Sequence, residues 1–222
     1  LLEEALRLGE ENNDEKVIKL TRKNGAIAAY KIGSAKRKAK AYDDAMASYN
    51  KGIDMNPDYY ANYIGRAQVW SKTGKKAEAA TGYIEAAQVA AKAGKDEKAT
   101  DLYGKAENLV AILYSKKKWS ETLSTSEALL AANETSNAHF YRAYALNETG
   151  KRANAKEHLG KAFELAGEMS EEDKAKYYML KAGIYEKEGN TSGAIDAYKK
   201  VKGDKYSPNA QYKIKTLSSG SK

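Results

Sequence analysis

Small and aromatic residues return at fixed offsets along this chain, and that recurrence constrains its fold more than any other feature. In residues 26–59, AIAAYKIGSAKRKAKAYDDAMASYNKGIDMNPDY, the residues Gly33, Ala45, Tyr49, Gly52 and Pro57 occupy positions 8, 20, 24, 27 and 32. Counting again from Tyr60, positions 4, 8, 11, 15, 20, 24 and 27 hold Tyr63, Ala67, Trp70, Gly74, Ala79, Tyr83 and Ala86. From Ser136 the same places hold His139, Ala143, Leu146, Gly150, Ala155, Leu159 and Ala162. From Ala175 they hold Tyr178, Ala182, Tyr185, Gly189, Ala194, Tyr198 and Val201. A unit counted from Tyr103 keeps the helical period and Trp119, but has Thr122 and Ser126 at positions 20 and 24. Starts at 26, 60, 103, 136 and 175 give spacings of 34, 43, 33 and 39 residues, which predict extra helical turns near 87–102 and a longer connection near 167–174. A unit of this length cannot bury an apolar face alone, so neighbouring units must cover one another.

Positions 4, 8 and 11 lie three and four apart and form one stripe of a helix; positions 20, 24 and 27 form one stripe of the next. Small residues at 8 and 20 let the two helices approach, and the aromatic at 24 fills the remaining space. This pattern resembles the tetratricopeptide repeat, a 34-residue helix-turn-helix unit, although Ala29 and Lys36 replace the large residues usual at positions 4 and 11 of the first unit. The resemblance implies an all-α chain, a right-handed α-solenoid of about five repeats. The units are expected near 26–59, 60–93, 103–136, 136–169 and 175–208. Before them, residues 1–25 are read as a degenerate helix pair, broken at Asn12–Asn13 and closed by Asn24 and Gly25. After them, residues 208–222 are read as a capping helix that Ser207 and Pro208 open, with a frayed tail from Ser218. Pro57 and Asp58 mark a stop and a helix cap, and Ser170 with Asp173 reads as a capping box.

Composition agrees and excludes much else. Ala, Lys, Glu, Leu and Tyr dominate the 222 residues, there is no Cys, and Pro occurs twice. Disulfide frameworks and cysteine-ligated metals are impossible, and two histidines make a multi-histidine metal centre a poor fit. No apolar run approaches a membrane span. The formal charge of +8 is dispersed in Lys36, Arg37, Lys38 and Lys40; in Lys116, Lys117 and Lys118; and in Lys199, Lys200, Lys202 and Lys205, groups placed at helix ends where cations suit the dipole. A start at Leu1 implies a trimmed or processed chain, and the lack of Cys favours an exported, periplasmic protein over a cytoplasmic one.

No residue set points to catalysis, so the chain is read as no enzyme, with no cofactor and no metal. His139 and His158 are nineteen residues apart without an accompanying ligand motif and are assigned packing or surface roles. Gly189–Gly193 lacks the Gly-Lys-Ser/Thr ending of a phosphate loop and reads as a turn. Ser115 with Lys118 is a chance Ser-x-x-Lys spacing.

In the family it resembles, positions 2, 5, 9 and 12 line a concave groove for peptides. Carried across, they predict a partner-binding groove of Tyr30, Ser34, Arg37, Ile64, Gln68, Tyr114, Phe140, Tyr144 and Asn147, continued by Met179, Gly183 and Glu186. Tyr144→Ala or Phe140→Ala should then weaken partner capture and leave the fold intact. The chaperone-tail clamp of the family is missing, because Tyr30, Ser34, Gly65, Gly104 and Asn108 replace its Lys, Asn and Arg residues. The expected function is a non-catalytic scaffold for protein–protein interaction that binds a protein or peptide. The alternative is a basic helical-repeat protein that binds RNA, although variable unit spacing and helix-end lysines weigh against nucleic acid.

Overall fold

The computed structural model describes residues 1–219; the part of the expected frayed tail at residues 220–222 lies outside them. Among the described residues there are twelve α-helices and no strand: α1 Leu2–Glu11, α2 Glu15–Lys38, α3 Tyr42–Met55, α4 Tyr60–Lys72, α5 Lys76–Lys92, α6 Asp96–Ser115, α7 Trp119–Ala132, α8 Ser136–Glu148, α9 Arg152–Ala166, α10 Ala175–Lys187, α11 Thr191–Lys199 and α12 Ser207–Ser219. No described helix is long and apolar enough to cross a membrane. The helices fall into two compact units, Leu1–Ile112 and Leu113–Lys222, with the boundary inside α6.

Within each unit, helices pair through turns of a few residues. Position 15 of every repeat lies in such a turn with a left-handed backbone: φ is +84° at Gly74, +81° at Gly150 and +73° at Gly189. The first and third units place Lys40 (φ +63°) and Lys117 (φ +56°) there instead, at a cost glycine would avoid. Basic residues also close α2, whose last turn holds Lys36, Arg37 and Lys38.

Position 20 is sealed wherever the repeat occurs, with Ala45, Ala79, Ala155, Ala194 and even Thr122 buried. Tyr49 shows how the small residues work. Its fully buried ring lies against Gly33 and Gly65, so a Cβ at Gly33 would meet Tyr49 Cε1 at 2.7 Å and one at Gly65 would come closer still. Its hydroxyl lies 3.2 Å from Ser34 Oγ. Asn62, also fully buried, donates from Nδ2 to the Ala26 carbonyl at 3.1 Å and ties α4 to α2. In the second unit Tyr177 plays the large-residue part, packed beside Phe140, Phe163 and Ile184, with its hydroxyl 2.6 Å from Ser136 Oγ.

Several expectations are corrected. The N-terminal pair does not close at Asn24–Gly25, because α2 runs unbroken from Glu15 to Lys38 and packs against both α1 and α3. Gly25 is a packing glycine: the Met55 side chain fills the place of its missing side chain. The break at Asn12–Asn13 is real, with Asn13 at φ +50° and the Asp14 carboxylate accepting from the Lys16 and Val17 N–H groups. The extra turns near 87–102 are shared between a long α5 and an α6 that starts at Asp96, separated by a turn at Gly94. Asp58 caps nothing through its side chain; its own N–H donates to Asn56 Oδ1 at 3.1 Å. Ser218 and Ser219 are helical, not frayed. Ser170 does close a box, since its Oγ accepts from the Asp173 N–H at 3.1 Å and donates to the Asp173 carboxylate at 2.7 Å.

Candidate functional site

The structure divides the expected groove residues between the two units. In the first, Tyr30, Ser34 and Arg37 stand on α2 and Ile64 and Gln68 on α4, all half-buried. Tyr30 packs on Tyr49 and edge-on to Tyr59, each at 6.2 Å between ring centres. Ser34 meets the Tyr49 hydroxyl, so a ligand on this stripe would compete with that contact.

In the second unit, Tyr114, Tyr144 and Phe140 share one aromatic cluster. Tyr114 lies 4.9 Å from Tyr144 and 5.7 Å from Phe140, both in edge geometry, and Trp119 leans on Tyr144 at 5.7 Å. Burial raises the Tyr114 and Tyr144 hydroxyls above the usual tyrosine range. Phe140 is only 3% exposed and Asn147 only 4%, so neither presents a side chain for a partner to grip, contrary to the groove expectation. Position 5 of this unit turns inward because Phe140 is needed between Tyr114 and Tyr177.

Tyr144 and Asn147 instead border an open pocket of about 250 Å³ with Met179 and Gly183 of α10. A Cβ at Gly183 would meet nothing within 4 Å. Two ion pairs flank the space: Lys187 with Glu148 at 2.8 Å and Lys213 with Glu186 at 2.9 Å. Burial opposes the Glu186 charge, but hydrogen bonds from Tyr198 and Lys213 hold its carboxyl below the usual range. Asn147 Nδ2 donates to Glu148 at 3.1 Å, whereas its Oδ1 is buried without a partner among the described residues. Met179, Gly183 and Glu186 were visible in the repeat register. Lys187 and Tyr198 lay off the chosen stripe, and Lys213 arrives from α12, outside the repeat, with no sequence signal.

A second cluster joins residues that the sequence had left apart. Arg142 Nε donates to His158 Nε2 at 3.1 Å, His158 Nδ1 lies 2.8 Å from His139 Nδ1, and His139 Nε2 lies 2.8 Å from Glu134. A permanently charged Arg requires an unprotonated His158 Nε2, so His158 carries its proton on Nδ1 and donates it to His139, which in turn donates to Glu134. Burial, then Arg142 and His139, pushes His158 down to about 4. In the pH window from 6.5 down to about 4 the unfolded chain binds a proton that the folded protein refuses, so stability is intact above that window and falls within it. Urea titrations should show wild type losing about 1–2 kcal/mol across the window, allowing for the half-exposed ring. His158→Gln, which keeps an acceptor for Arg142, should lose less; equal losses would remove His158 as the cause. Among the described residues no three His, Cys, Asp or Glu side chains are grouped to hold a metal.

The tetratricopeptide repeat family model matches residues 26–59 and 175–203. No curated protein matches the chain. Among solved structures it is similar to MamA, with 15% identity, TM-score 0.49, and coverage of 80% of this chain and 90% of that one. It is also similar to YrrB, described as a TPR protein with an unusual peptide-binding site, with 16% identity, TM-score 0.47, and coverage of 90% and 92%. A tetratricopeptide repeat protein from Parabacteroides merdae gives 15% identity, TM-score 0.42, and coverage of 97% and 98%. The chain thus carries matched tetratricopeptide repeats at residues 26–59 and 175–203, with helix pairs of the same construction between them.

Proposed function

We propose that this repeat protein is a non-catalytic scaffold that binds a peptide segment of a protein partner, and that its main contact is the pocket between α8 and α10. The family is a protein-interaction fold, which supplies the general reading. The specific reading rests on one observation: positions 9 and 12 of one repeat, Tyr144 and Asn147, and 5 and 9 of the next, Met179 and Gly183, converge on open space that a helix glycine leaves unfilled. A glycine inside a helix costs about 1 kcal/mol relative to alanine, and no neighbour requires it here. An aromatic wall and paired charges at the rim suit a peptide whose side chain enters beside Tyr144.

The test is selection of peptides from a displayed random library, followed by calorimetry with Gly183→Trp. Selected peptides should bind the variant at least about tenfold more weakly, a change of 1.4 kcal/mol, while its helical circular dichroism stays that of wild type. Unchanged affinity would place binding elsewhere. Tighter, steeply salt-dependent capture of RNA in a filter assay would favour the nucleic-acid alternative.

A further inference from the structure

On the second unit, a cavity of about 220 Å³ between α9 and α10 is floored by Leu159, Phe163 and Ile184. A second of about 220 Å³ between α10 and α11 is walled by Tyr178 and Ala197. Lys181 and Tyr185 border both, so the two form one surface with a shared rib. Its residues differ from those around Gly183, and its charge is less balanced. Lys181 Nζ sits over the Phe163 and Tyr185 rings at 5.9 and 6.0 Å, and Lys200 Nζ over Tyr178 at 6.0 Å. Among the described residues neither has a carboxylate within 4.0 Å. The one carboxylate in the lining, Asp196, is held by Lys199 at 3.4 Å, and Lys156 at the far end pairs with Glu188 at 2.7 Å.

Two ammonium groups are thus held on aromatic faces, an attraction that leaves their charge and hydrogen-bond donors available. A carboxylate reaching them would make a charge-assisted hydrogen bond. The first cavity is lined mainly by apolar atoms, and the second has apolar walls in Tyr178 and Ala197 beside its charged rim, so each admits one leucine-sized side chain. Gly160 keeps the first one open, since a Cβ there would meet nothing within 4 Å. We propose that this α9–α10–α11 face is a docking site for an acidic protein segment that carries two apolar side chains, separate from the pocket at Gly183. Single-stranded nucleic acid fits less well, because stacking needs uncovered ring faces. Phe163 is packed against Tyr177 and Tyr178 at 5.5 and 5.0 Å, and lysines cover Phe163, Tyr185 and Tyr178.

The probes are two short fluorescein-labelled glutamate peptides, one with two leucines a helical turn apart and one with leucines on alternate residues. Controls replace leucine by serine or glutamate by lysine, and oligouridine is the nucleic-acid arm. At least one acidic leucine peptide should bind by fluorescence anisotropy and weaken with salt. Its affinity should fall at least about tenfold, or 1.4 kcal/mol, in Lys181→Glu/Lys200→Glu and in Gly160→Trp, which blocks the cavity without altering charge. Gly183→Trp should leave it unchanged, so that failure here and failure of the scaffold reading remain distinguishable. The proposal is overturned if neither acidic leucine peptide binds, if the serine or lysine controls bind equally, if both folded variants retain affinity, or if oligouridine binds more tightly.

Discussion

Replacing Tyr49 by alanine should destabilise the first unit by about 3–5 kcal/mol, the cost of removing a large ring from a core that cannot collapse around the gap. The ring is fully buried, and three helices meet on it: Gly33 of α2, its own α3, and Gly65 of α4. Loss of the ring therefore opens two helix contacts at once. Gly65→Val should destabilise by about 1–3 kcal/mol through overpacking, because the added carbons would occupy the ring's position. Tyr49→Phe removes only the hydroxyl that meets Ser34 and should cost about 1 kcal/mol. Urea unfolding followed by circular dichroism measures all three. A Tyr49→Ala cost below about 1 kcal/mol would show that the ring is not the shared contact described above.

Phe140→Ala should cost the second unit about 3–5 kcal/mol for the same reason. Phe140 contacts Tyr114, Tyr141 and Tyr177 at ring-centre distances of 5.3 to 5.7 Å and is almost wholly buried. Tyr144→Ala, at a half-buried position beside open space, should cost about 1 kcal/mol. The pair separates core from contact surface: an unfolding midpoint that moves strongly for Phe140→Ala and slightly for Tyr144→Ala matches the packing. The reverse order would return Phe140 to the binding stripe.

Phe140 and Tyr144 also show how far the sequence could be read. Both sit on the stripe that helical spacing assigns to one face. Spacing gives the angle of a side chain about its helix axis, but not how much space the neighbouring helices leave at that angle. Tyr114 and Tyr177, from different helices, fill the space around Phe140, while Gly183 leaves it empty opposite Tyr144. Gly25 is a similar case. Preceded by Asn24, it reads as a helix end, yet Met55 from α3 makes it a contact inside a continuous α2. His139 and His158 lie in paired helices, and only that pairing makes them a hydrogen-bonded chain between Arg142 and Glu134.

By itself the sequence determined the helix-pair repeat and the turn glycines Gly74, Gly150 and Gly189; the left-handed backbone at Lys40 and Lys117, where lysine stands at the same position, came from the structure. These are local properties, set by a side-chain period and by backbone sterics within one turn. Only the tertiary structure decided which residues of a correctly placed stripe are core and which border a pocket. It also brought Lys213 to Glu186 and set Lys181 over Phe163. Those outcomes depend on contacts between helices far apart in the chain, where the volume of one side chain sets the space left to another.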